Sequence, residues 1–529
     1  RVRAAARVAL AGADGGRLRT PLPDALNCTR GEWCDSTGRC VDVCERGSVR
    51  VPAALRAALQ VQDRLAALSP TLCNATLPGT HNSAITLADG YGSRDAAYTQ
   101  ALHLIPELGK YTGRFVTNNQ FVSLSDQLTL GVRALELDVH WVLGELRIAH
   151  CGGLHVAALD SLVNDLNKAL EVLGLGELKW DTETVGCNPS LSAIPAKDQR
   201  TALSALQEVV AWLRAPNNTD TFVTLFLDDQ GDLVKWDKVP QLEQLFADGV
   251  VFDAGELLTP DAAAKEWPEL AQGAALPAIG DILARGYRAL VYSATDLQMS
   301  AGTPIWQESD FFSHCPGYSE GFSLASFLPA KCTYGAADNP THLDDGSFRR
   351  VLLPELQYGP LDGDFRLLPI NGTPPALNAI VAAELAACGV NEPSPDKLTP
   401  QRASGFVWTW ADGETPGECA LASAQDARWR AAPCEGATVA MPAACRSAEG
   451  GRWVLGAKAA TSASVAGAAC PAGSDWAVPL SAREAADLGV AAARGDVPGA
   501  WINLAAVWSE RKDLAHTLSV KQGASVAAV

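Results

Sequence analysis

The sequence predicts an α/β fold: a TIM-type (β/α)8 barrel with a cysteine-rich segment before it and a disulfide-clipped insertion late in it. Three observations lead there. Short apolar runs alternate with longer runs of helical periodicity through most of the 529 residues, the pattern of βαβ units around a parallel sheet. Several of these apolar runs are nearly continuous, as strands covered on both faces require. Polar residues collect where the runs end, as on the catalytic face of such a barrel.

The elements follow in chain order. Residues 1–50 carry Cys28, Cys34, Cys40 and Cys44 within NCTRGEWCDSTGRCVDVC. No Cys-x-x-Cys pair and no histidine lies among them, so local disulfides are expected rather than a zinc site. Residues 51–515 are assigned to the barrel, which opens on the helical run VPAALRAALQVQDRLAAL. Strands are expected at 75–81, 133–142, 146–150, 222–228, 289–293, 406–410 and 501–507. LDSLVNDLNKALEVLG and TALSALQEVVAWLRA read as helices between them. PSPDKLTPQ and NGTPP read as surface connections because of their prolines. Residues 411–480 are rich in Gly, Pro, Ala and Ser and hold Cys419, Cys434, Cys445 and Cys470. They read as an insertion, from which WINLAAVW returns to the barrel. Residues 516–529 form a small, polar tail.

Bulk properties narrow the function. A formal charge of −18 argues against nucleic acid and against electrostatic docking on anionic membranes. It suits a divalent cation. No apolar run reaches the roughly 18 residues of a membrane-spanning helix. Fourteen cysteines and four glycosylation sequons, at Asn27, Asn74, Asn217 and Asn371, point to the secretory pathway, with the protein secreted or at the cell surface. The chain starts at Arg1 rather than methionine, as expected after removal of a signal peptide.

Three stretches carry chemistry. In LPGTHNSAITL a small-residue turn leads into His81 and Asn82. In GVRALELDVHWVLGELRIAHCGG, Glu136 and Asp138 are two apart on a strand and share a face. Buried carboxylates without partners are costly. A metal ion would satisfy both, and a salt bridge to Arg133 or Arg147 is the structural alternative. The next strand ends on His150. In TFVTLFLDDQGD an apolar strand ends on Asp228, with Asp229 as the adjacent alternative. Two imidazoles can take a proton from a nucleophile and give one to a leaving group. A carboxylate-bound cation offsets charge on a phosphoryl oxygen. Hard oxygen donors suit Ca²⁺, with Mg²⁺ second, rather than zinc. His140 shares the face of Glu136 and Asp138 and reads as lining.

GTHNS, RALELDV and a strand ending in histidine, in this order and spacing, resemble the X-region of phosphatidylinositol-specific phospholipase C. The resemblance spans about residues 70 to 300. It implies His81 and His150 as the acid–base pair, and Asn82, Glu136, Asp138 and Asp228 as ligands of Ca²⁺. Metal-independent members carry arginine at the place of Asp138, and calcium-dependent ones usually carry glutamate at the place of Asp228. The implied reaction is attack of a neighbouring hydroxyl on phosphorus, giving a cyclic phosphate, with a phospholipid or another phosphodiester as substrate. Contact with a membrane periphery goes with it. Arg285, Arg288 and Lys331 are candidate headgroup contacts.

Two further readings stand beside this one. A glycerophosphodiester phosphodiesterase shares the barrel and a Glu-x-Asp pair but opens with His-Arg, where this chain has His81-Asn82. A catalytically silent barrel could instead serve an extracellular or cell-surface assembly. Residues 408–446 loosely resemble the second half of a C-type lectin fold, through Trp410, Gly413, Glu414, Pro416, Cys419, Trp429, Cys434 and Cys445. That resemblance implies a glycan partner. The sugar- and calcium-binding positions do not line up, and Arg430 stands where asparagine is needed. A disulfide-stabilised loop without ligands is the plainer reading.

Overall fold

The computed structural model describes residues 22–96, 99–100, 116–149, 168–169, 171, 194–229, 233–321, 327–334, 340–353 and 377–509. His150, Asn371 and most of the helical run at 159–174 lie outside the described residues.

The cysteine-rich segment is a hairpin docked on the main core. Strands β1 (Arg30–Cys34) and β2 (Cys40–Cys44) pair antiparallel. Disulfides Cys28–Cys44 and Cys34–Cys40 clip the hairpin locally, as its cysteine spacing led us to expect. Val41 and Val43 enter the main hydrophobic core. Trp33 lies against Gly90, where φ is +92° and a Cβ would meet the indole at 2.3 Å.

The helix Ala53–Ala67 follows, burying Leu59, Val61 and Leu65. Then come β3 (Gly79–Thr80), β4 (Ala134–Val142), β5 (Glu145–Ile148), β6 (Val223–Asp229) and β7 (Ala289–Ser293). β3, β4, β6 and β7 are parallel neighbours in that order, and β5 folds back antiparallel on β4. All five residues of β7 and the first five of β6 are buried, consistent with their continuous apolar sequence. The helix Ala202–Leu213 starts at Thr201, whose hydroxyl accepts from Ser204 N.

A second parallel sheet contains β8 (Gly317–Gly321), β11 (Phe348–Leu353) and β12 (Glu392–Pro395). Between β8 and β11 lies a small ribbon, β9 (Thr333–Tyr334) with β10 (Thr341–His342). β12 runs alongside β3: Leu77 N donates to Asn391 O at 2.7 Å and His81 N to Pro395 O at 3.2 Å. Both partners advance by four residues, the step of parallel neighbours. Seven parallel strands therefore follow one another as β7-β6-β4-β3-β12-β11-β8. Gly79 makes this approach feasible, because a Cβ there would lie 2.4 Å from Ser394 Oγ. Tyr292 of β7 stacks on Phe311 at 4.3 Å, and Phe311 meets Phe348 of β11 edge-on at 5.4 Å.

PSPDKLTPQ is not a surface connection. It continues β12 into the interior, with Asp396 fully buried and Lys397 nearly so. Asp396 N donates to Leu353 O beside β11, so Pro393 and Pro395, out of phase with Asp396, are not the residues whose N–H groups β11 uses, and towards β3 only carbonyls serve, Asn391 O for Leu77 N and Pro395 O for His81 N. Residues 406–410 do not form a strand. After the helix Pro400–Gly405, the Gln62 side chain takes the place of a strand partner. Its Nε2 donates to Phe406 O, and its Oε1 accepts from Trp408 N, both at 3.2 Å.

The C-terminal part holds β13 (Cys419–Ser423), β14 (Trp429–Ala432), β15 (Ala444–Ser447), β16 (Trp453–Leu455), β17 (Ser474–Trp476) and β18 (Gly499–Ile502). They form two antiparallel sheets, β14-β13-β18 and β16-β15-β17. Disulfides Cys419–Cys434 and Cys445–Cys470 close them. WINLAAVW does not rejoin the parallel strands. Its first residues pair with β13, Ile502 opposite Ala420, and the rest turns into the helix Leu504–Ser509. Small residues explain the choice, since Ala420, Ala422 and Ala500 let β13 and β18 pack under Trp429 in one apolar cluster. With Cys73–Cys315 and Cys332–Cys388, six disulfides lie among the described residues, as suits an oxidising compartment. No helix among these residues is long and apolar enough to cross a membrane.

Candidate active site

The GTHNS turn is fixed from its ends. Thr80 Oγ1 donates to Gln127 Oε1 at 2.7 Å, and Ser83 Oγ accepts from Glu136 N at 2.7 Å. Asn82 between them adopts a left-handed φ of 44°, a conformation that asparagine tolerates better than most residues and that is concentrated at functional sites. Its backbone N–H donates to Glu136 Oε2 at 2.7 Å.

His81 then points to the carboxyl end of β12. Its Nδ1 lies 2.9 Å from Asp396 Oδ1. A carboxylate there fixes the proton on Nδ1 and leaves Nε2 for chemistry. Burial alone would lower the His81 pKa. The charges of Asp396 and Glu136 outweigh it, so the imidazole titrates above its usual range.

Glu136 and Asp138, on one face within β4, meet Asp228 at the carboxyl end of β6. Asp138 and Asp228 are register partners, and the three carboxylates offer oxygens within 4.8 Å of one another. Asp229, the adjacent alternative, accepts from Leu233 N at 2.7 Å. Glu136 does have an arginine partner, but neither of the expected ones. Arg133 makes a two-pronged pair with Asp63, and Arg147 binds Glu145 and the Gln199 carbonyl. Fully buried Arg350 of β11 donates to Glu136 Oε2 at 2.9 Å, its guanidinium 3.9 Å above Phe226.

One arginine does not balance the cluster. Burial would raise the Glu136 carboxyl, yet Arg350, His81 and the Asn82 N–H together bring it below the usual range. Asp138 goes the other way. Burial, then the charges of Glu136 and Asp228, push it well above the usual carboxylate range. Beneath, Glu392 accepts from Thr224 and Tyr292 at 2.7 and 2.8 Å, with burial raising its pKa. A cluster of hard oxygen donors with surplus negative charge has the chemistry of a Ca²⁺ or Mg²⁺ site. Asn82, Glu136, Asp138 and Asp228 are the residues that would hold the ion.

His140 is buried, its Nε2 2.7 Å from Gln199 Oε1, and burial lowers its pKa to about 4. The headgroup candidates do not join the cluster. Arg285 pairs with Glu266 and lies over Trp267. Arg288 binds carbonyls of Leu213, Asn218 and Thr221 at the opposite end of β7. Lys331 is exposed. The sequons at Asn27, Asn74 and Asn217 are exposed, as glycan attachment requires. Asp396, Arg350 and Asn119 are the site residues that sequence reasoning missed.

Two uncharacterized proteins of Mycobacterium tuberculosis, from two strains, are each 27% identical to this chain over 445 residues, spanning 80% of it and 74% of their own length. No family model and no solved structure matches the chain.

Proposed function

We propose that the protein is a secreted or cell-surface, Ca²⁺-dependent phosphodiesterase of the phosphatidylinositol-specific phospholipase C type, built on a TIM-type (β/α)8 barrel. The observation that carries this is a convergence. His81 and Asn82 after β3, Asp228 at the end of β6 and Asp396 after β12 converge on Glu136 and Asp138 of β4, near the strand ends where α/β barrels do chemistry. His81, held by Asp396, exchanges a proton with the attacking or departing oxygen of a phosphodiester. Its partner in that exchange, on the resemblance, is His150. Bound Ca²⁺ supplies charge for a phosphoryl oxygen. Asn119 and Gln120 hold the His81 loop against β12: Gln120 Nε2 donates to the carbonyls of His81 and Pro395 at 2.8 and 2.9 Å. The six disulfides and the exposed sequons support the secretory route.

The test is hydrolysis of radiolabelled phosphatidylinositol by the purified protein, with Ca²⁺ and with a chelator, alongside His81→Ala. Calcium-dependent release of a cyclic inositol phosphate is expected, reduced at least about 100-fold in the variant. A variant with full activity would overturn the role of His81. A silent barrel in an extracellular assembly is the second reading. What favours it is that Arg350, a buried residue of the chain itself, already supplies Glu136 with an ionic partner at 2.9 Å. Absence of turnover on phosphatidylinositol and on glycerophosphodiesters would select it.

A further inference from the structure

The side-chain amide of Asn82 lies between two opposite demands. One end is 2.9 Å from both carboxylate oxygens of Asp138, and the other is 3.1 Å from Asn119 Nδ2. With its nitrogen toward Asp138, both contacts are hydrogen bonds: the amide donates to the carboxylate and accepts from Asn119. A cation at Glu136, Asp138 and Asp228 demands the reverse, because only the amide oxygen can ligate a metal. Turning the oxygen inward breaks the bond from Asn119 and sets two NH₂ groups against each other. Asn119 cannot readily withdraw. It is fully buried, its Nδ2 also donates to Asp396 Oδ1 at 2.7 Å, its N–H donates to Ile85 O at 2.8 Å, and its carbonyl accepts from Lys397 N at 2.7 Å.

We infer that Asn119 is a positioning residue that opposes cation binding, so that occupancy of the acidic cluster is coupled through the Asn82 amide to the His81–Asp396 pair. The inference rests on the proposed cation site. Its content is a sign. Asn119 stabilises the cation-free orientation of Asn82, so removing it favours the cation-bound one. By linkage, a cation that turns Asn82 leaves Asn119 with Asp396 as its remaining acceptor in this cluster, which tightens the pair holding His81.

The test is Ca²⁺ binding by calorimetry to the wild-type chain, Asn119→Ala, Asn82→Asp and the double variant. Asn119→Ala is expected to bind Ca²⁺ about threefold to tenfold more tightly, the value of one neutral hydrogen bond, while kcat falls because Asp396 loses a donor. A purely structural role predicts weaker binding with a lower Tm. Asn82→Asp presents oxygen in either orientation, so adding Asn119→Ala to it is expected to leave the affinity unchanged. Wild-type binding that Asn119→Ala leaves equal or weaker overturns the coupling alone. No binding by the wild type at millimolar Ca²⁺ overturns the cation site and the coupling with it. Should Asn119→Ala fail to fold, Asn119→Ser decides by the same sign, since serine is too short to reach Asn82.

Discussion

Two charge clusters among the described residues are built on opposite plans. Where the cysteine-rich hairpin docks, Arg46 and Arg200 face Asp89 and Glu208. Positive and negative groups match in number. Burial would raise the Glu208 carboxyl, but Arg200, Arg46 and two hydrogen bonds from Ser125 lower it to about 2. At the strand ends, Glu136, Asp138 and Asp228 share one arginine, and Asp138 is driven up. The matched cluster is a clamp. The unmatched one leaves negative charge for something else to neutralise, which is the basis of the proposed cation site.

The largest contrast is in stability. Glu208→Gln leaves two arginines and Ser125 poorly paired and is expected to destabilise by about 2–4 kcal/mol at neutral pH, read by denaturant unfolding. The pH dependence follows from the sign of the shift. The folded pKa of Glu208 lies below the unfolded value. Its contribution is therefore present above about 4.5 and lost as pH falls toward about 2. The gap between Glu208→Gln and the wild type should close over that window; a gap constant with pH would remove Glu208 from the clamp. Asp138→Asn should act in the opposite direction. In chelator it relieves repulsion and is expected to stabilise by about 1 kcal/mol, and a loss of stability would break the comparison. An exposed pair sets the floor: Arg430 and Asp426, 2.7 Å apart on the C-terminal sheet. Arg430→Ala is expected to change stability by less than about 0.5 kcal/mol, and a larger change would mean that surface pairs here are not negligible.

Much of the acidic site was legible in the sequence, for a physical reason. Glu136, Asp138 and Asp228 stand out because each interrupts or ends an apolar strand that has no other use for charge. His81 and Asn82 stand out because a tight turn precedes them. Asp396 was hidden, since its strand reads Glu-Pro-Ser-Pro and two prolines signal a loop. Only the neighbour shows why they fit, because β3 takes carbonyls from β12 and no N–H. Arg350 was hidden in FRRVLL, where the arginine doublet gives no sign of which residue turns inward. The parallel strands β4, β6 and β7 were found from their apolar runs. β18 was misassigned because its partner is set by the alanines of β13, about eighty residues of non-repeating sequence away, as in Ala420 opposite Ile502.

The most direct test of the unmatched cluster is equilibrium Ca²⁺ binding to the wild type, Asp138→Asn and Glu208→Gln. We predict one site per chain in the wild type, retained in Glu208→Gln and lost in Asp138→Asn. Binding that survives Asp138→Asn unchanged, or that is absent from the wild type, would contradict the account.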